Sequence, residues 1–335
     1  MTEKLGIGFI GLRMGGGQLR QVAGMKDARI AAICDLDEER VANLQCEFQV
    51  PLATTDYRKL VAHPEVDIVS VATPDYLHLE QAVAAFEHGK HVMVEKPMAR
   101  TVEECVQMIA AQRASGKQLM VAHVARFYSF FQQVKRWCGD GTLGVPYHIY
   151  TSYIHNYEQI PGFDGWRFDP EKRHQLIGGG CHGLDLARWI GGEVSEVHCY
   201  ANHMNIPVLK TDDHFNINLK FASGAVGHVT ASFGCQRPYA IDLQVWGTKG
   251  TVIANNVDDT TQVCLRQTDR HKWMEFPAER ETKGLATEFQ ELINAIRAGK
   301  APESDGISGA RTVALGWAAI ASANEGRPVV PKTDF

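Results

Sequence analysis

The sequence predicts an α/β protein of two domains: a doubly wound parallel sheet first, then a second α/β domain built on a large open, mostly antiparallel sheet. Three observations predict it. At 335 residues the chain exceeds what one ordinary core organises. Its first third alternates short continuous apolar runs with amphipathic stretches, the pattern of buried parallel strands and their crossover helices. From about Ala125 the runs become β-branched and aromatic and alternate with polar residues, the pattern of a sheet with one solvated face. The expected domains are 1–123 and 124–335, with the last helix free to pack back on the first.

Each element has its own local reason. Leu5 to Ile10 is an apolar run closed by Gly11, and the glycine-dense turn with Gly15, Gly16 and Gly17 opens a helix. Ile30 to Cys34 forms the second strand and ends at Asp35; Asp37 then caps a helix that runs to about Glu47. Val66 to Val71 is the third strand, stopped by Ala72-Thr73-Pro74, and its helix closes at His88-Gly89. His91 to Val94 is the fourth. Thr101-Val102-Glu103-Glu104 is a capping-box pattern, its helix ends at Ser115-Gly116, and Leu119 to Ala122 is the fifth strand.

In the second half Ser129 to Trp137 reads as a helix and Gly139 to Gly144 as a turn. Six strand-like segments follow: 147–154, 197–202, 215–221, 225–233, 241–246 and 251–254. Phe289, Leu292, Ile293 and Ile296 share one helical face stopped by Gly299, and Val313, Trp317 and Ile320 mark the closing helix.

Composition narrows the function. Apolar residues make up 44% and charged residues 22%, so a soluble globular chain is expected. A net charge of −5 with no densely basic window gives no electrostatic case for nucleic acid or an anionic membrane. The amino end runs into a strand without a signal-peptide layout, and the longest apolar stretch is far short of a span. The eight cysteines are scattered with no C-x-x-C pair. No structural zinc or disulfide framework is expected, so the chain reads as cytoplasmic with free thiols.

The first turn points to a ligand. Amides at the amino end of a helix that follows a glycine turn after strand one face an incoming pyrophosphate. Gly11 allows the tight turn, and a later glycine permits close packing of helix on strand. Asp35, 24 residues past Gly11, stands where an acid accepts adenosine ribose hydroxyls. Read without gaps, Gly11-Leu12-Arg13-Met14-Gly15-Gly16 puts Arg13 where the second glycine of the usual fingerprint belongs. Either one residue is deleted and Gly15 plays the last glycine, or Arg13 itself reaches a phosphate. Asp35 followed by Leu36 would repel a 2′-phosphate, so NAD is preferred over NADP; Arg13 and Arg40 are the features that speak for NADP.

Two further constellations carry chemistry. Lys96 closes His91-Val92-Met93-Val94-Glu95-Lys96-Pro97, an apolar run ending in a charge pair and a proline. At the carboxyl end of a parallel strand an ammonium can hold a substrate hydroxyl and stabilise a developing alkoxide. The plain alternative is a surface lysine capping a strand. The second constellation runs Gly165-Trp166-Arg167-Phe168-Asp169-Pro170, then Gly178-Gly179-Gly180-Cys181-His182-Gly183-Leu184-Asp185. His182 and Asp185, three apart, fall near one another on a helix's first turn. Histidine is the natural proton acceptor near neutral pH. The alternative is that the pair merely caps and charges a helix start.

These residues resemble the Gfo/Idh/MocA family of NAD(P)-dependent oxidoreductases over nearly the whole chain. The resemblance rests on the Gly11 turn, Ala72-Thr73-Pro74-Asp75 with His78, Gly89-Lys90-His91-Val92 leading to Glu95-Lys96-Pro97, Gly141-Thr142-Leu143-Gly144, Trp166-Arg167, and Gly180-Cys181-His182 with Asp185. It implies a Rossmann domain and oxidation or reduction of a secondary alcohol on a sugar, inositol or glycoside. It also implies a homodimer or homotetramer joined through the open sheet. The active lysine corresponds to Lys96 and the active histidine to His182. The cofactor contacts expected are Gly11, Arg13, Met14, Gly15, Asp35, Thr73, Pro74, His78, Glu95 and Lys96; the substrate contacts are Trp166, Arg167 and Asp185. No metal is expected. Many members carry an Asp four residues before the histidine, and this chain has Gly178, so Asp185, His174 or a water substitutes in the proton relay or His182 works alone. Two rival readings use the same fold: a cofactor-bound sensor without catalysis, and a glycosidase that oxidises transiently.

Overall fold

The computed structural model describes residues 3–160, 165–257, 260–266, 272–277 and 284–335. The chain divides into two units: residues 1–123 with 285–310 and Phe335 form the first, and 124–284 with 311–334 the second.

The first unit is a run of strand–helix crossovers. Its elements are β1 (Leu5–Ile10), α1 (Gly15–Ala23), β2 (Ala28–Cys34), α2 (Glu38–Phe48), β3 (Leu52–Thr54), α3 (Tyr57–Val61), β4 (Ile68–Val71), α4 (His78–Glu87), β5 (His91–Glu95), α5 (Val102–Ser115) and β6 (Leu119–Ala122). The strands pair in the order β3-β2-β1-β4-β5-β6, parallel throughout. Crossovers leave β1 in opposite directions, so the sheet has a switch point between β1 and β4, and ligands bind at the carboxyl ends there. The core is the strands themselves: Ile7, Phe9, Val69, Val71, Val92 and Val94 have no exposed surface. Burying side chains of this size contributes about 1.5–3 kcal/mol each.

The caps follow the expected chemistry. Asp37 accepts from the Arg40 amide at 3.0 Å and starts α2. Thr101 Oγ1 accepts from the Glu104 amide at 3.2 Å, while Glu104 reaches one residue further back, to the Arg100 amide at 2.9 Å. Gly116 closes α5 at φ 66°. The sheet has six strands where the sequence predicted five. The added strand, Leu52–Thr54, has three partly exposed residues, too few for an apolar run to mark it, and Tyr57–Val61 is likewise a helix of little more than one turn.

The second unit opens with α6 (Ser129–Gly139) and β7 (Pro146–Ile154). Then come α7 (Cys181–Gly191), β8 (Val194–Asn202), β9 (His214–Phe221), β10 (Val226–Ser232), β11 (Ala240–Gly247), β12 (Gly250–Asn255), β13 (Thr260–Leu265) and β14 (Met274–Pro277). The sheet order is β14-β13-β12-β11-β7-β10-β9-β8; every pair is antiparallel except β7 with β10. On β9 the period is two: Phe215, Ile217, Leu219 and Phe221 are buried against α7's side of the sheet, and Asn216, Asn218 and Lys220 are exposed. The outer face carries Trp246 against His148 at 4.4 Å and Tyr150 stacked on His228 at 6.0 Å. β13 opens on three polar residues, Thr260, Thr261 and Gln262, and β14 is only four residues long, so neither shows a sustained strand pattern.

α8 (Leu285–Ala298) and the segment to Ala310 belong to the first unit, although they lie in the half of the sequence assigned to the second domain. Phe289 from α8 meets Phe9 edge-on at 5.9 Å, and Leu285 lies against Gly17 of α1. The division between units falls inside the closing helix α9 (Gly306–Glu325), after Ala310.

Candidate active site

In the first unit the carboxyl edge gathers three chain turns. β1 ends at Gly11, whose φ of +87° is the left-handed region that glycine tolerates. A Cβ at Gly11 would lie 2.6 Å from the Ala72 carbonyl oxygen, so the backbone after β1 runs directly against the backbone after β4. Gly11 N donates to Cys34 O at 2.9 Å, and Leu12 N donates to Asp35 Oδ2 at 2.6 Å. The glycine turn and the acid that ends β2 are thus tied together. Arg13 and Met14 are exposed at the entry to α1, and Gly15 is buried at its first residue. Arg40 lies 3.5 Å from Asp35 and 2.9 Å from Asp37. A turn that opens and closes on glycine at a helix amino end, with a carboxylate after β2, fits a dinucleotide's pyrophosphate and adenosine ribose. Gly11→Ala is expected to weaken NAD binding at least tenfold and to cost about 1–2 kcal/mol of stability from backbone strain. Equilibrium titration and urea unfolding check both.

Thr73 and Pro74 follow β4, and Thr73 Oγ1 donates to Gln81 Oε1 at 2.6 Å. His78 is buried and bridges two edges: its ring nitrogens face Thr73 O at 3.0 Å and Pro97 O at 2.9 Å. The loops after β4 and β5 are therefore held to one another beside Lys96. Glu95 turns inward. Its Oε1 accepts from Gln18 Nε2 at 2.9 Å, its Oε2 from the Lys96 amide at 3.2 Å, and Gln18 in turn accepts from Ser70 Oγ at 2.7 Å. Burial of its carboxyl pushes the Glu95 pKa above the usual range, against the opposing pull of Lys96 and His78.

Glu288 of α8, a residue the sequence reading passed over, lies close enough to Glu95 to feel its charge. It has no exposed surface, and neither carboxyl oxygen has a hydrogen-bond partner among the described residues. Burial first, and then the neighbouring Glu95 charge, push its pKa well above the carboxylate range. A visible signal existed: Glu288 stands at i+3 from Leu285 and i−4 from Leu292, on the apolar stripe of its helix. Glu288 keeps its proton in the folded state where the unfolded chain has lost it. Stability therefore falls as pH rises above the unfolded carboxyl value, at about 1.4 kcal/mol per pH unit, until the raised folded value is reached. Glu288→Gln is expected to remove this term, so its stability advantage over the parent grows from pH 5 to pH 8 in urea unfolding. A pH-independent difference would contradict the assignment.

In the second unit His182 stands in the first turn of α7 and is 6% exposed. The residues before it, Leu176–Gly180, form a π-helical turn. The triple glycine is required by close approach: a Cβ at Gly179 would meet Tyr157 Oη at 2.0 Å, and one at Gly178 would meet Arg173 Cζ at 2.2 Å. The His182 ring lies over Tyr153 at 5.5 Å and 19°. Tyr153 Oη is 3.2 Å from His155 Nδ1, and Tyr239 packs on both rings. Burial above all raises the Tyr153 pKa well above its ordinary value, so the hydroxyl stays protonated as a hydrogen-bonding group. Trp166 stands in a short turn, Gly165–Phe168, with the guanidinium of Arg167 4.5 Å from its ring and that of Arg173 at 5.6 Å. Of the chain between Tyr153 and Arg173, residues 161–164 lie outside the described residues.

Asp185, expected to touch substrate, is placed differently from its neighbours. It is 1% exposed, and Arg126 grips it with two bonds, Nε to Oδ2 at 2.7 Å and NH2 to Oδ1 at 2.6 Å. Thr312 Oγ1 donates to Oδ1 at 3.1 Å and accepts from Arg188 at 2.9 Å. Both carboxylate oxygens are thus committed inside the fold, and Asp185 anchors the helix that carries His182. Among the described residues no cluster of His, Cys, Asp and Glu could hold a metal ion, and no helix is long and apolar enough to cross a membrane.

Known proteins resemble this chain along most of its length. Residues 5–123 match the oxidoreductase family with an NAD-binding Rossmann fold, and residues 131–253 match the Gfo/Idh/MocA C-terminal domain. The chain is 30% identical to the myo-inositol 2-dehydrogenase of Thermotoga maritima, over 96% of this chain and 97% of that protein. The chain belongs to the Gfo/Idh/MocA oxidoreductase family. Within that family it is also 27% identical to the 1,5-anhydro-D-fructose reductase of Ensifer adhaerens, over 89% of this chain and 90% of that one. A levoglucosan dehydrogenase in complex with NADH and levoglucosan superposes with a TM-score of 0.90 at 26% identity, covering 98% of this chain and all of that one (100%).

Proposed function

We propose that this Gfo/Idh/MocA protein is an NAD-dependent dehydrogenase that interconverts a secondary alcohol of a sugar or polyol and the corresponding ketone. The observation that carries the reading is the carboxyl edge of the parallel sheet. There the Gly11 turn, Asp35 and the Glu95-Lys96 pair end three strands, β1, β2 and β5, of one sheet. Dehydrogenases and reductases of sugars and inositol among its relatives support the same substrate class.

Gly11, Gly15 and the start of α1 hold the pyrophosphate, with Arg13 and Met14 flanking it, and Asp35 holds the adenosine ribose; an acid there favours NAD over NADP. Thr73, Pro74, His78 and Glu95 shape the rest of the cofactor's bed. NAD, when bound, accepts the hydride that leaves the carbinol carbon. The hydroxyl proton must leave as well, and His182 takes it. Lys96 donates a hydrogen bond to the carbinol oxygen and stabilises its partial negative charge. Trp166 offers a flat face to the sugar ring, and Arg167 bonds its hydroxyls. Asp185 acts through Arg126 by fixing α7, with no part in proton transfer. Incubation with NAD and a panel of sugars, sugar acids, inositols and aryl glycosides tests the reading: NADH must appear with at least one alcohol. Release of aglycone without NADH would favour the glycosidase alternative, and no reaction at all a sensor.

The outer face of the second sheet supports assembly into a homodimer or homotetramer. Trp246 is 40% exposed there and Tyr200 67%, more aromatic surface than a solvated sheet needs. Sedimentation of the protein at micromolar concentration would show a monomer if this is wrong. The eight cysteines carry no disulfide, which supports a reducing, cytoplasmic setting.

A further inference from the structure

We propose that the outer face of the second sheet pairs with the same face of a second copy of this chain, and that the histidines on it release the pairing in acid. The inference rests on the assembly proposed above for this face and adds what controls it. Strand register brings four imidazoles onto the face. His198 of β8 and His228 of β10 both stand opposite Asn218 of β9, and His228 stands opposite Tyr150 of β7. In the next row Val226 of β10 faces His148 of β7, and His148 faces Trp246 of β11. His214 of β9 lies opposite Ser232 of β10, on the same side. Tyr200, Val226 and Trp246 stand exposed among them.

Area and charge both fit a second copy. The strands from β8 to β12 are six neighbours in the sheet. At about 4.8 Å between strands and about 3.3 Å per residue they offer a face of about 750 Å², close to the roughly 800 Å² each partner buries in a stable interface. A two-fold axis sets such a patch on its own image, so the face must tolerate itself. Among the described residues its charged groups besides the imidazoles are Glu196, opposite Lys220, Asp242, which accepts from Ser152 Oγ at 2.6 Å, and Glu275 on the β14 edge. With neutral imidazoles and the phenols of Tyr150 and Tyr200 these charges are few and of both signs; with four imidazolium ions the face is positive and repels its image. The neutral form of His228 is also well used: its Nδ1 donates to Asn218 Oδ1 at 3.0 Å, which leaves Nε2 to accept from Thr230 Oγ1 at 3.1 Å. Burial holds His148 below the ordinary imidazole range, and burial, with the charges of His148 and His214, does the same to His228. A second copy would bury both rings further, so a proton favours the separated chains. Pairing is therefore strongest above the ordinary imidazole value and weakens as pH falls below it.

Sedimentation velocity of the full chain over a range of concentrations, at pH 8 and at pH 5.5, tests it, with circular dichroism at each pH to show that the chain stays folded. The dissociation constant is expected to rise on the order of 10- to 100-fold at the lower pH. His148→Gln combined with His228→Gln should hold that change within about threefold, because both lost protons are then out of the linkage. Trp246→Glu should separate the copies at pH 8, which assigns the contact to this face. The histidine claim is overturned if the parent associates equally at both pH values, or if the double variant shifts as much as the parent; in either case the assembly itself stands. A parent that is monomeric at both pH values overturns the assembly and the proposal with it, and so does association of Trp246→Glu at the parent's strength, which puts the contact elsewhere. Should the double variant not fold, each single Gln variant is measured instead and should lose about half of the shift on a logarithmic scale; a single variant that keeps all of it counts against the proposal in the same way.

Discussion

Lys96→Ala is expected to bind NAD within twofold of the parent and to turn over 10²- to 10³-fold more slowly, the order of loss found when one oxyanion-stabilising donor is removed. The reasoning is positional. Lys96 follows β5 directly, and its backbone is fixed on both sides: its amide donates to Glu95 at 3.2 Å, and the next carbonyl, Pro97 O, faces His78 at 2.9 Å. The residue stands at the carboxyl edge, where an open parallel sheet binds ligands. In the proposed reaction, loss of the ammonium would remove an interaction that strengthens only as the carbinol oxygen gains charge, so the decrease belongs in kcat. Stopped-flow reduction of NAD, with NAD affinity measured by fluorescence on the same preparations, separates the two effects. A sensor would lose nothing measurable with Lys96, because it has no transition state to stabilise.

Asp185→Asn is expected to destabilise the second unit by about 3–5 kcal/mol, because it leaves the buried Arg126 charge without its counter-ion. Arg126 and Asp185 are 2% and 1% exposed, and they are joined by paired bonds of 2.7 and 2.6 Å. Replacing both partners, as in Arg126→Met with Asp185→Leu, removes the charge along with its need and should recover most of the loss. Urea unfolding of the three variants gives the comparison. If Asp185 took part in the chemistry, the double variant would fold well and still be inactive; as an anchor for α7, it regains activity in proportion to its stability.

How much of this was legible in the sequence depends on how local each determinant is. The glycine turn, Asp35 at the end of β2, the Asp37 and Thr101 caps and the Gly116 stop are decided within a few residues, and the folded chain carries them as read. β3, β13 and β14 are short or polar and take their strand character from the neighbour they pair with, which no local pattern reveals. The site shows the same division. Glu95-Lys96 could be read from one apolar run and its abrupt end. The partner of Asp185 could not, since Arg126 lies 59 residues away on a short turn without periodicity. Arg173 was hidden for a related reason. The triple glycine announced that something approaches closely, but only the fold says that it is a guanidinium.

Deuterium placed on the reacting carbon tests the central claim most directly. With a substrate found in the panel, labelled at its carbinol carbon, the native protein should deliver one deuterium per turnover to the C4 position of the nicotinamide. Lys96→Ala and His182→Ala, both still binding NAD, should deliver it at least a hundredfold more slowly. Label that stays on the substrate, or exchanges into water, would contradict the account, and so would either variant passing it on at close to the native rate.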